Sequence, residues 1–390
     1  MTVENGPSRA GGSRVLGIDT LRGLSAAAVF VCHVGGYWTF FDLPSPAANV
    51  LSFGAHGVDV FIVISGFCLA LPFAAPGRRV ATGAFYGRRA WRILPAYWVA
   101  LAVATVLAVV PATARHVVAE PATAGDVVVH VVGMQTWLPS TLGTINGSLW
   151  SISLEIQLYL VFPLLVLVWR RFGVGVLVAG SALLAAVWWL LGIVVPASGD
   201  PAGLLGENHA LPARLVQFAL GVACADMVRR GRAPGAAPVG VAWVVSGVAA
   251  ALGYTSDLTA NLDLVLWGLF GASSILLLAG PVGRRAATKA TEEFGLRSFS
   301  FYLLHQPVVL LSGVPLAAVS APWPVTLVGG GLLCFALATG AGAVLYRFVE
   351  RPSHLVGKRR YPVVVRSAST PAEAHPASPT SVEPVPASSD

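Results

Sequence analysis

Ten apolar runs, each close to the length of a membrane-crossing helix, divide this chain. Almost all of its positive charge falls in alternate gaps between them. A hydrocarbon core about 30 Å thick needs about 20 apolar residues at about 1.5 Å rise each. Runs near that length lie at 21–41, 57–75, 93–111, 150–169, 173–195, 211–228, 236–254, 262–282, 298–318 and 324–347. In lipid every backbone polar group must bond within the protein, so uniformly apolar runs of this length are read as helices. The stretch 125–147 is also apolar, but Gly133, Pro139 and Gly143 break it, and it reads as a short re-entrant or interfacial piece.

Charge sets the orientation. With the N-terminus in the cytoplasm, 23 of the 25 Lys and Arg fall on the cytoplasmic side and only Arg115 and Arg214 fall outside. Such a bias orients membrane proteins, and an error of one helix would destroy the alternation. The expected fold is therefore all-α, a polytopic membrane protein of about ten transmembrane helices in one bundle. Residues 1–20 form a cytoplasmic N-terminal segment, 21–350 the membrane domain, and 351–390 a cytoplasmic, largely disordered tail rich in Pro, Ala, Ser and Glu. Charged residues make up 11% of the chain, against about 25% in soluble domains. The net charge of +7 is a topology signal, with no nucleic-acid partner expected. No cleavable signal peptide is evident. The excess of Arg over Lys, with abundant Ala, Gly and Val, points to a GC-rich bacterial source and hence to the plasma membrane. Cys32, Cys68, Cys224 and Cys334 lie in apolar runs without metal-ligand spacing, so they read as small buried residues, and no metal site is expected.

Function is sought in the ionisable residues inside the runs, because they are costly there. Arg22 and His33 are eleven residues apart. On a helix that is about 1100°, roughly three turns plus 20°, so both share one face about 16 Å apart. Asp19 stands at i−3 from Arg22. The second run opens Gly57-Val-Asp59 and continues to Ser65-Gly66, where Gly66 permits close helix approach and Ser65 suits an interhelical bond. Arg78, Arg79, Arg88, Arg89 and Arg92 form a cluster at the mouth of the third run. Arginine forks suit phosphate, though they also suit topology and lipid headgroups. Glu155 sits about a turn and a half into the fourth run, with Arg214 at the start of the sixth and His305 within the ninth. Glu350-Arg351-Pro352 is read as a salt-bridged helix end. Asn146-Gly-Ser148 matches a glycosylation sequon but is discounted in a bacterial chain.

Taken in order, these pieces resemble the membrane acyltransferase-3 family. The resemblance is carried by the Arg22-to-His33 spacing, Gly57-Val-Asp59 through Ser65-Gly66-Phe67, Arg88-Arg89 with Arg92-Ile-Leu-Pro-Ala-Tyr-Trp98, Ser148-Leu-Trp150 through Glu155, and Tyr302-Leu-Leu-His305-Gln-Pro307. It covers nearly the whole membrane part. The resemblance implies an acyl-CoA-dependent O-acyltransferase moving an acyl group, usually acetyl, to hydroxyls of sugars, polysaccharides, lipids or macrolides. Acyl-CoA is then a co-substrate and no cofactor is tightly bound. One departure stands out: where the family often has a second acid after the residue matching Glu155, this chain has Ile156. The soluble esterase-like domain fused to some members is also missing from this sequence.

The resulting expectations are specific. His33 is the general base, or a transient acyl carrier, with Arg22 and Glu155 as further catalytic residues. Arg22, Arg88, Arg89, Arg92 and Ser65 bind the donor. Asp59, Arg214 and His305 contact the acceptor. Glu155 or Asp19 orients the His33 imidazole. The competing reading is a proton-coupled transporter or flippase, which midplane His, Asp and Glu would also suit. A non-catalytic scaffold would leave the buried charges unexplained.

Overall fold

The computed structural model describes residues 15, 17–38, 43–74, 80–118, 122–195, 199–200, 203–253, 260–319 and 321–362. Among these residues the secondary structure is helical throughout, with no strand. The helices are α1 (Ile18–Tyr37), α2 (Ser45–Ser52), α3 (Gly57–Ala70), α4 (Thr82–Val109), α5 (Pro111–Val117), α6 (Ala124–Val131) and α7 (Trp150–Phe172). Then follow α8 (Val174–Val194), α9 (Leu211–Arg229), α10 (Ala236–Gly253), α11 (Ala260–Leu278), α12 (Pro281–Ala286) and α13 (Lys289–Ala317). The last, α14 (Trp323–Arg360), runs continuously through two π-helical turns at Thr326–Gly330 and Tyr346–Glu350. Among the described residues nine stretches are long and apolar enough to cross a membrane, and the shorter apolar helix Leu262–Leu278 completes the ten expected runs. The protein is an all-α polytopic membrane protein.

Local sequence explains the element ends. Thr123 and Asp126 cap α6 reciprocally, the Thr hydroxyl accepting from Asp126 N–H while the carboxylate accepts from Thr123 N–H. Between α7 and α8 the chain turns on Gly173 alone, at φ 92°, a backbone conformation favouring glycine. The apolar 125–147 stretch is α6 followed by short 3₁₀ turns, not a further spanning helix.

Burial sorts the helices into core and rim. In α3 and α9 most side chains are buried, whereas α8 and α10 present Leu183, Ile193 and Val245 outward, as lipid-facing helices do. The two core helices touch backbone to backbone. A Cβ added at Gly66 would lie 2.1 Å from the Phe218 carbonyl, and one at Gly221 would lie 2.0 Å from that of Val63. This reciprocal close approach is what the sequence suggested for Gly66. On its other flank, α1 meets α13 just as closely, a Cβ at Gly295 falling 1.7 Å from the Asp19 carbonyl.

Arg351–Arg360 continues α14 and packs on α4, with Gly357 against Trp91. The tail residues 363–390 lie outside the described residues, as do residues 1–14 and Arg78 and Arg79.

Candidate active site

The tight packing of α1, α3 and α13 leaves a cavity of about 1110 Å³ in the arginine-rich end of the bundle. Polar residues from four helices form one part of its wall: Asp19 and Arg22 from α1, Ser65 and Cys68 from α3, Arg89 and Arg92 from α4, and Glu155 and Tyr159 from α7. Arg22 donates to Asp19 at 2.8 Å, the i−3 pair anticipated from sequence. Glu155 accepts from the Tyr159 hydroxyl and, at 3.3 Å, from Ser65 Oγ. The Arg89 guanidinium lies over the Tyr159 and Phe85 rings, 5.4 and 5.7 Å from their centroids. Its Nε is buried and has no hydrogen-bond partner among the described residues. A buried donor left over in this way costs stability.

At its inner end the cavity reaches Phe61, Ser151 and Tyr302. The Tyr302 hydroxyl accepts from Ser151 at 2.8 Å and donates to the Ser148 carbonyl at 3.1 Å. Its backbone carbonyl accepts from His305 Nδ1 at 2.6 Å. His305 Nε2 meets His33 Nδ1 at 2.7 Å. The two rings are within 5° of coplanar and their centroids are 4.8 Å apart. That separation exceeds the N···N distance by nearly two ring radii, so the imidazoles meet edge to edge.

The protons on this chain can be assigned. A carbonyl only accepts, so His305 Nδ1 carries hydrogen. In the neutral ring Nε2 then accepts, and His33 Nδ1 must donate to it. The lone pair of His33 is therefore on Nε2, which has no partner among the described residues. His305 is buried and fixed on both edges, while His33 is half-buried beside Tyr37, ring centroids 5.1 Å apart. His33 itself does not line the cavity; Tyr302, whose carbonyl His305 bonds, does.

Several expected roles are redistributed. Asp19 and Glu155 do not orient His33; they bond Arg22 and the Ser65–Tyr159 pair, and His305 takes the orienting position. Asp59 and Arg214, expected at the acceptor, are bonded to each other at the opposite end of the bundle. Asp59 also accepts from Gln217 at 2.7 Å and meets His56 Nδ1 at 2.7 Å, and Arg214 donates to the Asn208 carbonyl at 2.6 Å and lies over Trp150. Arg88 faces away from the cavity and donates to the Tyr361 carbonyl at 2.9 Å. Glu350 accepts from Ser300 at 2.6 Å, and among the described residues it forms no salt bridge with Arg351. The sequon residues Asn146 and Ser148 are buried in the turn before α7, where Ser148 N–H donates to Gln306 Oε1 at 2.6 Å. Arg22, Arg89, Arg92, Ser65 and Glu155 do converge on one cavity.

Tyr159, Tyr302 and the α14 residues Arg351 and Lys358 also line the cavity and were not singled out as site residues. Tyr159 at i+4 from Glu155 was the one findable signal, since i,i+4 partners share a helix face.

The sequence matches the family described as an acyltransferase domain over residues 15–346. The chain belongs to the membrane acyltransferase-3 family. It is 29% identical to Acyltransferase MdmB of Streptomyces mycarofaciens, over 89% of this chain and 94% of that protein. It is 24% identical to Peptidoglycan O-acetyltransferase OatA of Listeria monocytogenes, over 86% of this chain but only 55% of OatA. To the Putative membrane-bound transacylase BcsY of Komagataeibacter xylinus it is 28% identical, over 76% of this chain and 73% of BcsY. No solved structure matches it. The protein is thus a membrane acyltransferase, and the arginine-lined cavity and the histidine pair are the parts of it from which transfer chemistry can be built.

Proposed function

We propose that this acyltransferase moves an acyl group, acetyl in the first instance, from acyl-CoA to a hydroxyl of a sugar, glycan or macrolide-type natural product. It works in the bacterial plasma membrane with both termini in the cytoplasm, so the cavity opens to the cytoplasmic acyl-CoA pool. The observation that carries this reading is the continuity between an arginine-lined cavity and a residue, Tyr302, whose carbonyl fixes the His305–His33 pair. The name of OatA supports both the acetyl group and a hydroxyl acceptor.

Arg89 and Arg92 hold donor phosphates, for which planar guanidinium forks are suited. Arg22, kept extended by Asp19, and the Ser65–Glu155–Tyr159 group line the path along which the thioester arm passes inward. His33 Nε2 takes the proton from the acceptor hydroxyl as its oxygen attacks the thioester carbonyl. The C–S bond then breaks, and the same proton returns to the thiolate of CoA. His305 holds His33 in the tautomer that leaves Nε2 basic, as an orienting partner does in other acid–base sites.

The test is comparative mass spectrometry of metabolites and surface glycans. It uses cells lacking the gene, or carrying the wild type or His33→Ala at matched membrane abundance. A product heavier by one acetyl group only with the wild type is expected. Full transfer by His33→Ala would overturn the role of His33. A metabolite redistributed between cells and medium without any acylated species would replace this reading with transport.

A further inference from the structure

We infer that the C-terminal segment of α14, Arg351–Arg360, is part of the donor site, and that Arg351 and Lys358 bind the nucleotide phosphates of the acyl-CoA donor. This rests on the donor reading above and extends it to a part of the chain that follows the family match, which ends at residue 346.

Three observations carry it. First, the segment is a wall of the cavity: Arg351, His354, Leu355 and Lys358, spaced as one helical face, line the same space as Arg89 and Arg92. Second, α4 holds the segment in place. Arg88 donates to the Tyr361 carbonyl at the end of the helix, Gly87 leaves room for the Tyr361 ring, and Gly357 packs on Trp91. Both Gly87 and Gly357 would clash if they bore a Cβ, at 2.5 Å from Tyr361 and 2.7 Å from Trp91. Third, the charge is unbalanced. The cavity is lined by the cations Arg22, Arg89, Arg92, Arg229, Arg351 and Lys358 against the carboxylates Asp19, Glu155 and Glu350, and among the described residues Arg92, Arg351 and Lys358 have no carboxylate at ion-pair distance.

A cavity with an excess of cations on two facing helices suits a ligand carrying several phosphates. The nucleotide end of acyl-CoA is such a ligand, and its acyl end would point inward toward Tyr302. Arg88 and Arg89 are neighbours in sequence and divide the labour: Arg89 faces the donor, and Arg88 fastens the helix that completes its site.

The experiment uses the full chain in phosphatidylcholine nanodiscs and titrates acetyl-CoA calorimetrically. The wild type is compared with Arg351→Gln/Lys358→Gln and with Lys358→Gln alone, an exposed position with no ion pair among the described residues. A loss of about tenfold or more in affinity for the double variant, and a smaller loss for the single one, is expected. Added phosphatidylglycerol should leave wild-type affinity unchanged. Equal affinity in wild type and both variants would overturn the inference while leaving the donor reading standing. Competition by phosphatidylglycerol that disappears in the double variant would assign these cations to lipid headgroups and overturn it too. If the wild type binds no acetyl-CoA, the donor reading fails and takes this inference with it.

Discussion

The bundle holds two constellations of charge, and they differ in whether they face open space. At one end Asp59, Arg214, Gln217 and His56 bond one another, and Arg214 spends its remaining donors on the Asn208 carbonyl and the face of Trp150. No cavity residue belongs to this group. At the other end Arg22, Arg89, Arg92 and Glu155 line about 1110 Å³ of open space. Both sets would be flagged by the cost of charge in a membrane. Only the second lines this cavity, a space a ligand can fill. The first fastens α3 to α9; the second is the donor site on the reading proposed above.

Mutations should split along that line. The largest effect is expected at the histidines that the second constellation leads to. His33→Ala should lower transfer by about 10²-fold or more, the usual contribution of a general base, with insertion and folding unchanged. His305→Gln should lower kcat while leaving the donor KM near wild type, because His305 acts through His33. Activity retained in both would break the comparison from the functional side. Asp59→Ala strands the Arg214 charge, and a buried pair broken in this way costs about 3–5 kcal/mol. It should appear as loss of folded protein by fluorescence-detected chromatography, with the surviving fraction showing an ordinary donor KM. A selective change in acceptor KM there would instead give Asp59 the substrate role first expected of it. Arg89→Gln should raise the donor KM about tenfold with little change in thermal stability.

The smallest effect concerns the loop before α9. The hydrogen bond from His209 holds the Glu207 carboxyl below its usual value near 4.5. A carboxylate lowered in the fold contributes stability above its unfolded value, and that contribution is lost as pH falls through the lower folded one. Tm should therefore drop slightly more steeply on acidification below about 4.5 in wild type than in Glu207→Gln.

The fold was largely legible because two independent signals agree. Apolar length marks each span, and the alternation of Arg and Lys fixes their order. Close packing at Gly66 was legible too, since a glycine among bulky residues suggests a helix contact. The site was legible as a set of residues but not as a set of pairs. His33 and His305 lie 272 positions apart, and nothing in either run says which imidazole faces which. Successive helical residues point about 100° apart, so Arg88 and Arg89 look alike in sequence yet face different neighbours. The extension of α14 was illegible for a different reason. Arg351–Arg360 is too polar to read as a span, and its order comes from packing against α4 rather than from its own composition.

The central claim, that the arginine-lined cavity is the donor chamber, is most directly tested through Cys68. Its thiol is in the cavity wall, while Cys224 and Cys334 are buried elsewhere and serve as internal controls. Full-length protein in nanodiscs would be treated with N-ethylmaleimide, with and without saturating acetyl-CoA, and the modified cysteines mapped by mass spectrometry. The account predicts that Cys68 alone is alkylated readily among these three and that acetyl-CoA protects it. Alkylation of Cys68 at the same rate with and without acetyl-CoA would contradict it.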